Sequence, residues 1–178
     1  MAEAASRAEP APGPGDEAGR HAAYLDYYRA TCVDKCRSLT GAGLTGAWVP
    51  SGWTPLALLH HLAHMERRWF AWGFLGEPVA DPWGDSGGDP DLPWSVPAGV
   101  GLTEVAVMLD EQAARTRALI TSHDLSALAS RAGRFAAIDP GERVPDLRWI
   151  CFHVLQEYAR HAGHLDVAVE LAGGTVGE

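Results

Sequence analysis

The sequence predicts an all-α protein, a four-helix bundle in which one long crossover joins the second helix to the third. Three observations predict it. Four stretches carry apolar residues at the spacing of an amphipathic helix. No stretch alternates apolar and polar residues convincingly enough for a half-buried strand, and the segment between the second and third helices is too dense in proline and glycine for a regular element. At 178 residues and 47% hydrophobic content, the chain is long and apolar enough for one domain with its own core.

The chain opens with a tail over residues 1–19, rich in Ala, Pro, Gly and Glu, which buries too little to order itself; the bundle domain spans 20–178. A first helix over 20–38 places Ala23, Leu25, Tyr27, Tyr28, Cys32 and Val33 at mainly helical spacing, and Gly41 and Gly43 stop it. The second helix has the clearest start, with Thr54 as cap and Pro55 in the first turn, where its missing N–H does no harm. It runs to about residue 75 on a stripe of Leu58, Leu62, Met65, Trp69 and Trp72. His61 borders that stripe, within about 60° of its centre. His60 and His64 turn toward the charged side with Arg67 and Arg68 and are expected to be solvated. Glu66 faces inward, as a partner near a site or a member of an inner salt bridge.

Residues 77–101 contain five prolines and are far longer than the usual connection of about 4 to 6 residues. Trp83 and Trp94 favour an ordered segment, either a lid over one end of the bundle or a passive loop held by its tryptophans. A third helix over 103–121 has the pattern of a packing element, and 122–145 is mixed, with a short helical turn around 125–131. The last helix starts near Asp146, which can cap it, and stops at Gly173 and Gly174.

A net charge of −9 and a pI near 5.3, with no local cluster of Lys or Arg, exclude an electrostatic footprint for nucleic acid or an anionic membrane. No apolar run approaches the roughly 18 residues of a membrane span, and the N-terminus lacks the pattern of a secretory signal, so the expected setting is cytoplasmic and the expected partner a small molecule. Cys32, Cys36 and Cys151 are an odd, sparse set, read as reduced core thiols. Aromatic residues on the first two helices leave room for a homodimer.

The chemistry concentrates in the last helix. At roughly 100° per residue, His153, Glu157, His161 and His164 share one arc of about 80°. Ile150, Val154, Leu165 and Ala168 lie on the same half, so this polar row points inward. Burying a carboxylate and several imidazoles costs several kcal/mol unless something compensates, and a bound cation does so simply. His61 from the second helix, with the i, i+4 pair Glu157 and His161, supplies three ligands on one side of an ion and leaves positions open to water or substrate, as in a catalytic site.

Three blocks carry a resemblance: GLTGAWVPSGWTPLALLHHLAHMERRWF, DLRWICFHVLQEYARHAGHLD and the closing ELAGGTVGE. They resemble the DUF664 branch of the DinB-like (YfiT-like) superfamily of four-helix bundles, over about Tyr24 to Glu178. The resemblance implies a divalent ion, zinc or nickel, held between a helix-two histidine, which maps to His61, and two last-helix residues spaced i, i+4. Many members carry His-x-x-x-His there; Glu157-x-x-x-His161 is instead the pattern of the related mycothiol-dependent maleylpyruvate isomerases, and it changes the charge of the ligand set.

The implied activity is a thiol S-transferase or isomerase whose cosubstrate is a low-molecular-weight thiol of the mycothiol type. A free thiol has a pKa near about 8.5, and a coordinating metal deprotonates it, so the thiolate would attack a small electrophile. In that scheme His164 moves a proton or supports the ligands from outside, and Arg160 anchors a carboxylate of either substrate. Two other readings stay open: a metal-dependent hydrolase or cyclase of specialised metabolism, and a non-catalytic metal-binding bundle.

Overall fold

The computed structural model of the protein describes residues 8–11 and 15–174. Much of the expected tail, and the end of the closing block, lie outside the described residues. The elements are α1 (Glu17–Arg37), a single turn α2 (Ala42–Thr45), α3 (Pro55–Arg67) prolonged by a π-helical segment over Arg68–Phe74, α4 (Leu102–Ser122) and α5 (Leu147–Leu171). No strand is present among the described residues, and Leu128 and Asp146 form one isolated antiparallel bridge. The chain is therefore the all-α bundle its patterning predicts.

Local chemistry sets the helix ends. Asp16 accepts from the Gly19 N–H, which starts α1 earlier than the apolar pattern alone implies. Thr54 Oγ1 accepts from the Ala57 N–H at 3.1 Å, and Asp146 Oδ1 from the Trp149 N–H at 2.8 Å, so both expected caps are made. Glu104 reaches back to the Gly101 N–H at 3.0 Å to start α4. At the end of α5, Gly173 adopts φ 75° and the Gly174 N–H donates to the Val169 carbonyl at 2.8 Å.

α1 and α3 each pack against both α4 and α5. The core between them holds Leu25, Cys32, Leu58, Leu62, Leu109, Ile120, Ile150, Val154 and Leu165, each 1% exposed or less. Cys32, Cys36 and Cys151 are all free and buried, and burial pushes Cys36 and Cys151 up to about 12, so these are packing residues. Glu66, fully buried, takes the inner salt-bridge role. Arg29 donates to both its oxygens at 2.7 and 2.8 Å, and Tyr158 Oη and Thr116 Oγ1 donate at 2.6 and 2.5 Å. The network ties α1, α3, α4 and α5 together at one point.

Three features were not legible in the pattern. Over Arg68–Phe74 the helix widens to π register, with the Leu75 N–H bonding the Phe70 carbonyl at 3.0 Å. This segment carries Arg68, Trp69 and Trp72, which face the long crossover and α5. Of the helical turn expected around 125–131 only one tight turn forms, the Ala127 N–H donating to the Asp124 carbonyl at 2.9 Å, and the chain then runs extended: the Ala129 N–H donates to the Pro145 carbonyl at 2.9 Å and the Ser130 N–H to the Phe74 carbonyl at 2.9 Å. The large aromatic side chains most exposed on the long helices, Trp149 (50%) and Phe152 (55%), sit on α5 rather than on the first two helices.

The crossover is an ordered strap. Arg67 Nη2 donates to the Ala80 and Asp81 carbonyls at 3.2 and 2.9 Å, and Arg68 Nη1 to the Pro82 carbonyl at 2.9 Å. Further along, the Ser95 N–H donates to the Asp85 carbonyl at 2.7 Å, and His60 Nδ1 lies 2.9 Å from the Ser95 carbonyl. This corrects the expectation of solvated histidines. His60 and His64 are 3% and 6% exposed, because the strap covers the face of α3 that their angular position alone leaves to water.

Candidate metal centre

α3 and α5 bring His61, Glu157 and His161 together: each offers one ligand atom, and these atoms lie within 4.8 Å of one another. Bonds of about 2.0 to 2.2 Å to a common ion at tetrahedral angles put two donors roughly 3.3 to 3.6 Å apart, so the widest pair has to draw in by about 1 Å on binding. The orientation of each side chain fits that use. His61 Nδ1 lies 2.7 Å from Asp85 Oδ2 and donates to it, which leaves Nε2 free as a ligand. His161 Nε2 lies 3.2 Å from Glu157 Oε2, and its Nδ1 3.2 Å from His164 Nδ1. His164 therefore stands behind His161 much as Asp85 stands behind His61.

Electrostatics keep His61 and Glu157 in their binding forms. Burial pushes the His61 pKa below its ordinary value despite the pull of Asp85, so the imidazole is neutral. The hydrogen bond from His161 holds Glu157 below the usual carboxylate range. Burial would raise Asp85, but hydrogen bonds from His61 and Arg68 outweigh it and keep the carboxyl ionised. Arg68 clamps both Asp85 oxygens, at 2.6 and 2.9 Å. Two imidazoles and one carboxylate, oriented from behind, form a donor set suited to a divalent cation.

The strap completes the site. Trp94 stacks on the His61 ring, with centroids 4.1 Å apart and planes at 21°, and meets the His161 ring edge to face at 5.1 Å. Trp83 lies against the Arg68 guanidinium at 4.4 Å. Asp85 was absent from the sequence reading. Its signal is an acid set between those two tryptophans, opposite an Arg68 with no helical acid partner. His153 stays outside the ligand set: its Nε2 is 3.5 Å from Glu157 Oε1, and its ring packs on Trp69 and Trp149 at 4.2 and 5.0 Å. Arg160 is exposed, with no ionic partner among the described residues, yet near enough to His164 to help lower its pKa.

A family model described as MST, mycothiol-S-transferase, matches residues 21–174. The chain belongs to the mycothiol-S-transferase family. Membership places it in the DinB-like group and ties it to a thiol-related transferase function on a small-molecule substrate. Metal dependence is general in this family, and the His61, Glu157 and His161 cluster is a possible site for the ion. Comparison with curated proteins found no match. No helix among the described residues is long and apolar enough to cross a membrane.

Proposed function

We propose that this family member is a divalent-metal-dependent thiol S-transferase that joins a mycothiol-type cosubstrate to a small electrophile. The observation that carries the reading is the convergence of His61, Glu157 and His161, with His61 Nδ1 held by Asp85, which leaves Nε2 for an ion. These three residues would hold the ion. When bound, a divalent cation lowers a thiol pKa from about 8.5, so that the sulfur reacts as a thiolate at neutral pH.

The chain's own residues do the rest. Burial and the charges of His161 and Arg160 hold His164 below its ordinary pKa. It is therefore neutral at pH 7, and with His161 Nε2 given to the ion its Nδ1 accepts from the His161 Nδ1–H, so His164 holds that ligand from behind while solvent takes the thiol proton. Trp94 over His61 excludes water from one side of the reacting sulfur. The carbon–sulfur bond forms as the electrophile's leaving group departs with its electron pair or, on an activated alkene, as the π pair shifts to the neighbouring carbon, which then takes a proton from solvent. Arg160 is assigned to a carboxylate of either substrate at the mouth of the site.

Elemental analysis of the purified protein beside His61→Ala and Glu157→Gln, followed by conjugation of a thiol to a fluorogenic alkyl halide, tests the reading. We expect about one divalent ion per chain in the wild type, near none in the variants, and a loss of conjugation of about 100-fold or more. Full conjugation in metal-free variants would overturn it, and turnover without thiol would favour the hydrolase.

A further inference from the structure

Below the candidate metal centre, about two helical turns toward the start of α5, lies a cavity of about 400 Å³ lined by Trp69, Phe135, Arg143, Val144, Pro145, Asp146 and Trp149. Its walls touch the centre's own support: Trp69 and Trp149 both pack on His153, which borders Glu157. Trp149, His153, Glu157 and His161 form one i, i+4 ladder along α5, so at about 1.5 Å per residue the cavity wall at Trp149 begins about 12 Å from Glu157 along the axis. The cavity and the ligand cluster are two stations on one face.

Two features of its chemistry lack a structural explanation. Arg143 lines the cavity, is exposed, and has no hydrogen-bond or ionic partner among the described residues. Arg134, half-buried, likewise meets no carboxylate among them. Its guanidinium packs over Trp69 at 4.3 Å, with Trp83 and Trp72 at 5.7 and 5.9 Å. The acid in the cavity wall, Asp146, is committed to the Trp149 N–H as the cap of α5. In a chain of net charge −9, two guanidinium groups with no carboxylate partner among the described residues, one in the wall of an aromatic hollow and one behind it, leave a local positive field there. A half-exposed Trp149 on the same wall leaves apolar area uncovered.

We infer that this cavity binds the electrophilic substrate, and that the substrate is an elongated aromatic carboxylate whose ring lies against Trp149 and Phe135 and whose carboxylate pairs with Arg143. Arg134 raises the positive potential from behind Trp69. The roughly 12 Å between the two stations means the reactive carbon sits at the end remote from the carboxylate. The inference rests on the transferase reading for the word "substrate"; the cavity's preference for an aromatic anion stands independently of it.

The probes are 2-naphthoate and its neutral analogue 2-naphthylmethanol, titrated calorimetrically into the full chain. Naphthoate should bind about tenfold or more tighter than the alcohol, as a charge-assisted contact requires. Arg143→Gln should remove that preference, and Trp149→Ala should weaken both ligands about tenfold; both residues are exposed, and circular dichroism checks that the variants fold. Equal binding of the two probes, a preference surviving Arg143→Gln, or a preference lost instead in Arg160→Gln would overturn the assignment. His61→Ala should keep naphthoate affinity, so a failed metal reading leaves this result intact. In conjugation assays naphthoate should compete with the electrophile and not with the thiol; competition with the thiol, or none, would remove the cavity from the reaction.

Discussion

His61 has its Nδ1 committed to Asp85 at 2.7 Å, and Asp85 in turn has both oxygens committed to Arg68. A carboxylate behind a ligating histidine fixes its tautomer and ring angle, and such partners are typically worth about 10 to 100-fold in metal affinity. Asp85→Asn should weaken the ion by that factor, read by competition with a chromophoric chelator, while His161 and Glu157 stay in place. Unchanged affinity would show that Asp85 serves only to anchor the strap. The converse change, Arg68→Ala, leaves a buried carboxylate 1% exposed and without its cation. By the usual cost of breaking a buried pair this should remove about 3 to 5 kcal/mol of stability, measured by urea unfolding.

At the scale of elements, the strap over residues 77–101 and the π segment Arg68–Phe74 work as one unit. Arg67 and Arg68 at their junction hold three strap carbonyls as well as Asp85. Gly133 is where the segment after α4 closes on this unit. It adopts φ 59°, and a Cβ there would stand 2.3 Å from the Trp72 carbonyl oxygen. Gly133→Ala should therefore destabilise by about 2 kcal/mol or more, through backbone strain and displacement of the π segment. It should also loosen Arg134 from Trp69. A melting temperature within a degree of the wild type would show that the backbone relaxes freely there.

The same scale explains what was legible. The long helices follow from caps at Thr54 and Asp146 and from apolar spacing, both local signals. His60 and His64 were misplaced because helical angle says only which side of α3 they occupy, and the strap that covers that side is distant in sequence. The donors His61, Glu157 and His161 were readable because inward polar residues at i, i+4 are visible in the pattern. Asp85 was not, because a loop has no periodicity from which to tell inside from outside.

For the whole molecule, the buried histidines predict a pH dependence. Burial, with the charges of His60 and Arg67, holds His64 down to about 4 against 6.5 in the open. Between those values the unfolded chain binds more protons than the folded one, so stability rises with pH across the window. It is fully present above about 6.5 and falls progressively toward pH 4, by at most about 3 kcal/mol from His64 alone. Burial lowers His61, His153 and His164 in the same direction. The urea midpoint of metal-free protein should drop from pH 7 to pH 4.5, and by less in His64→Gln; a flat profile would contradict the buried, neutral assignment. The other global constraint is the Glu66 network, which joins four helices through Arg29, Thr116 and Tyr158. Glu66→Ala leaves the buried Arg29 with Asp26 alone, at 2.6 Å, and Tyr158 without its acceptor, and should cost about 3 kcal/mol.

Periodicity and capping act over a few residues, and they alone determined that this chain makes four long helices and turns His61, Glu157 and His161 inward. Only the tertiary structure decided that these three meet, that Asp85 stands behind His61, and that an aromatic hollow flanked by arginines lies about two turns away. Each of those depends on where a long proline-rich segment crosses the bundle. That path is set by hydrogen bonds to backbone carbonyls, whose positions leave no mark on the order of side chains.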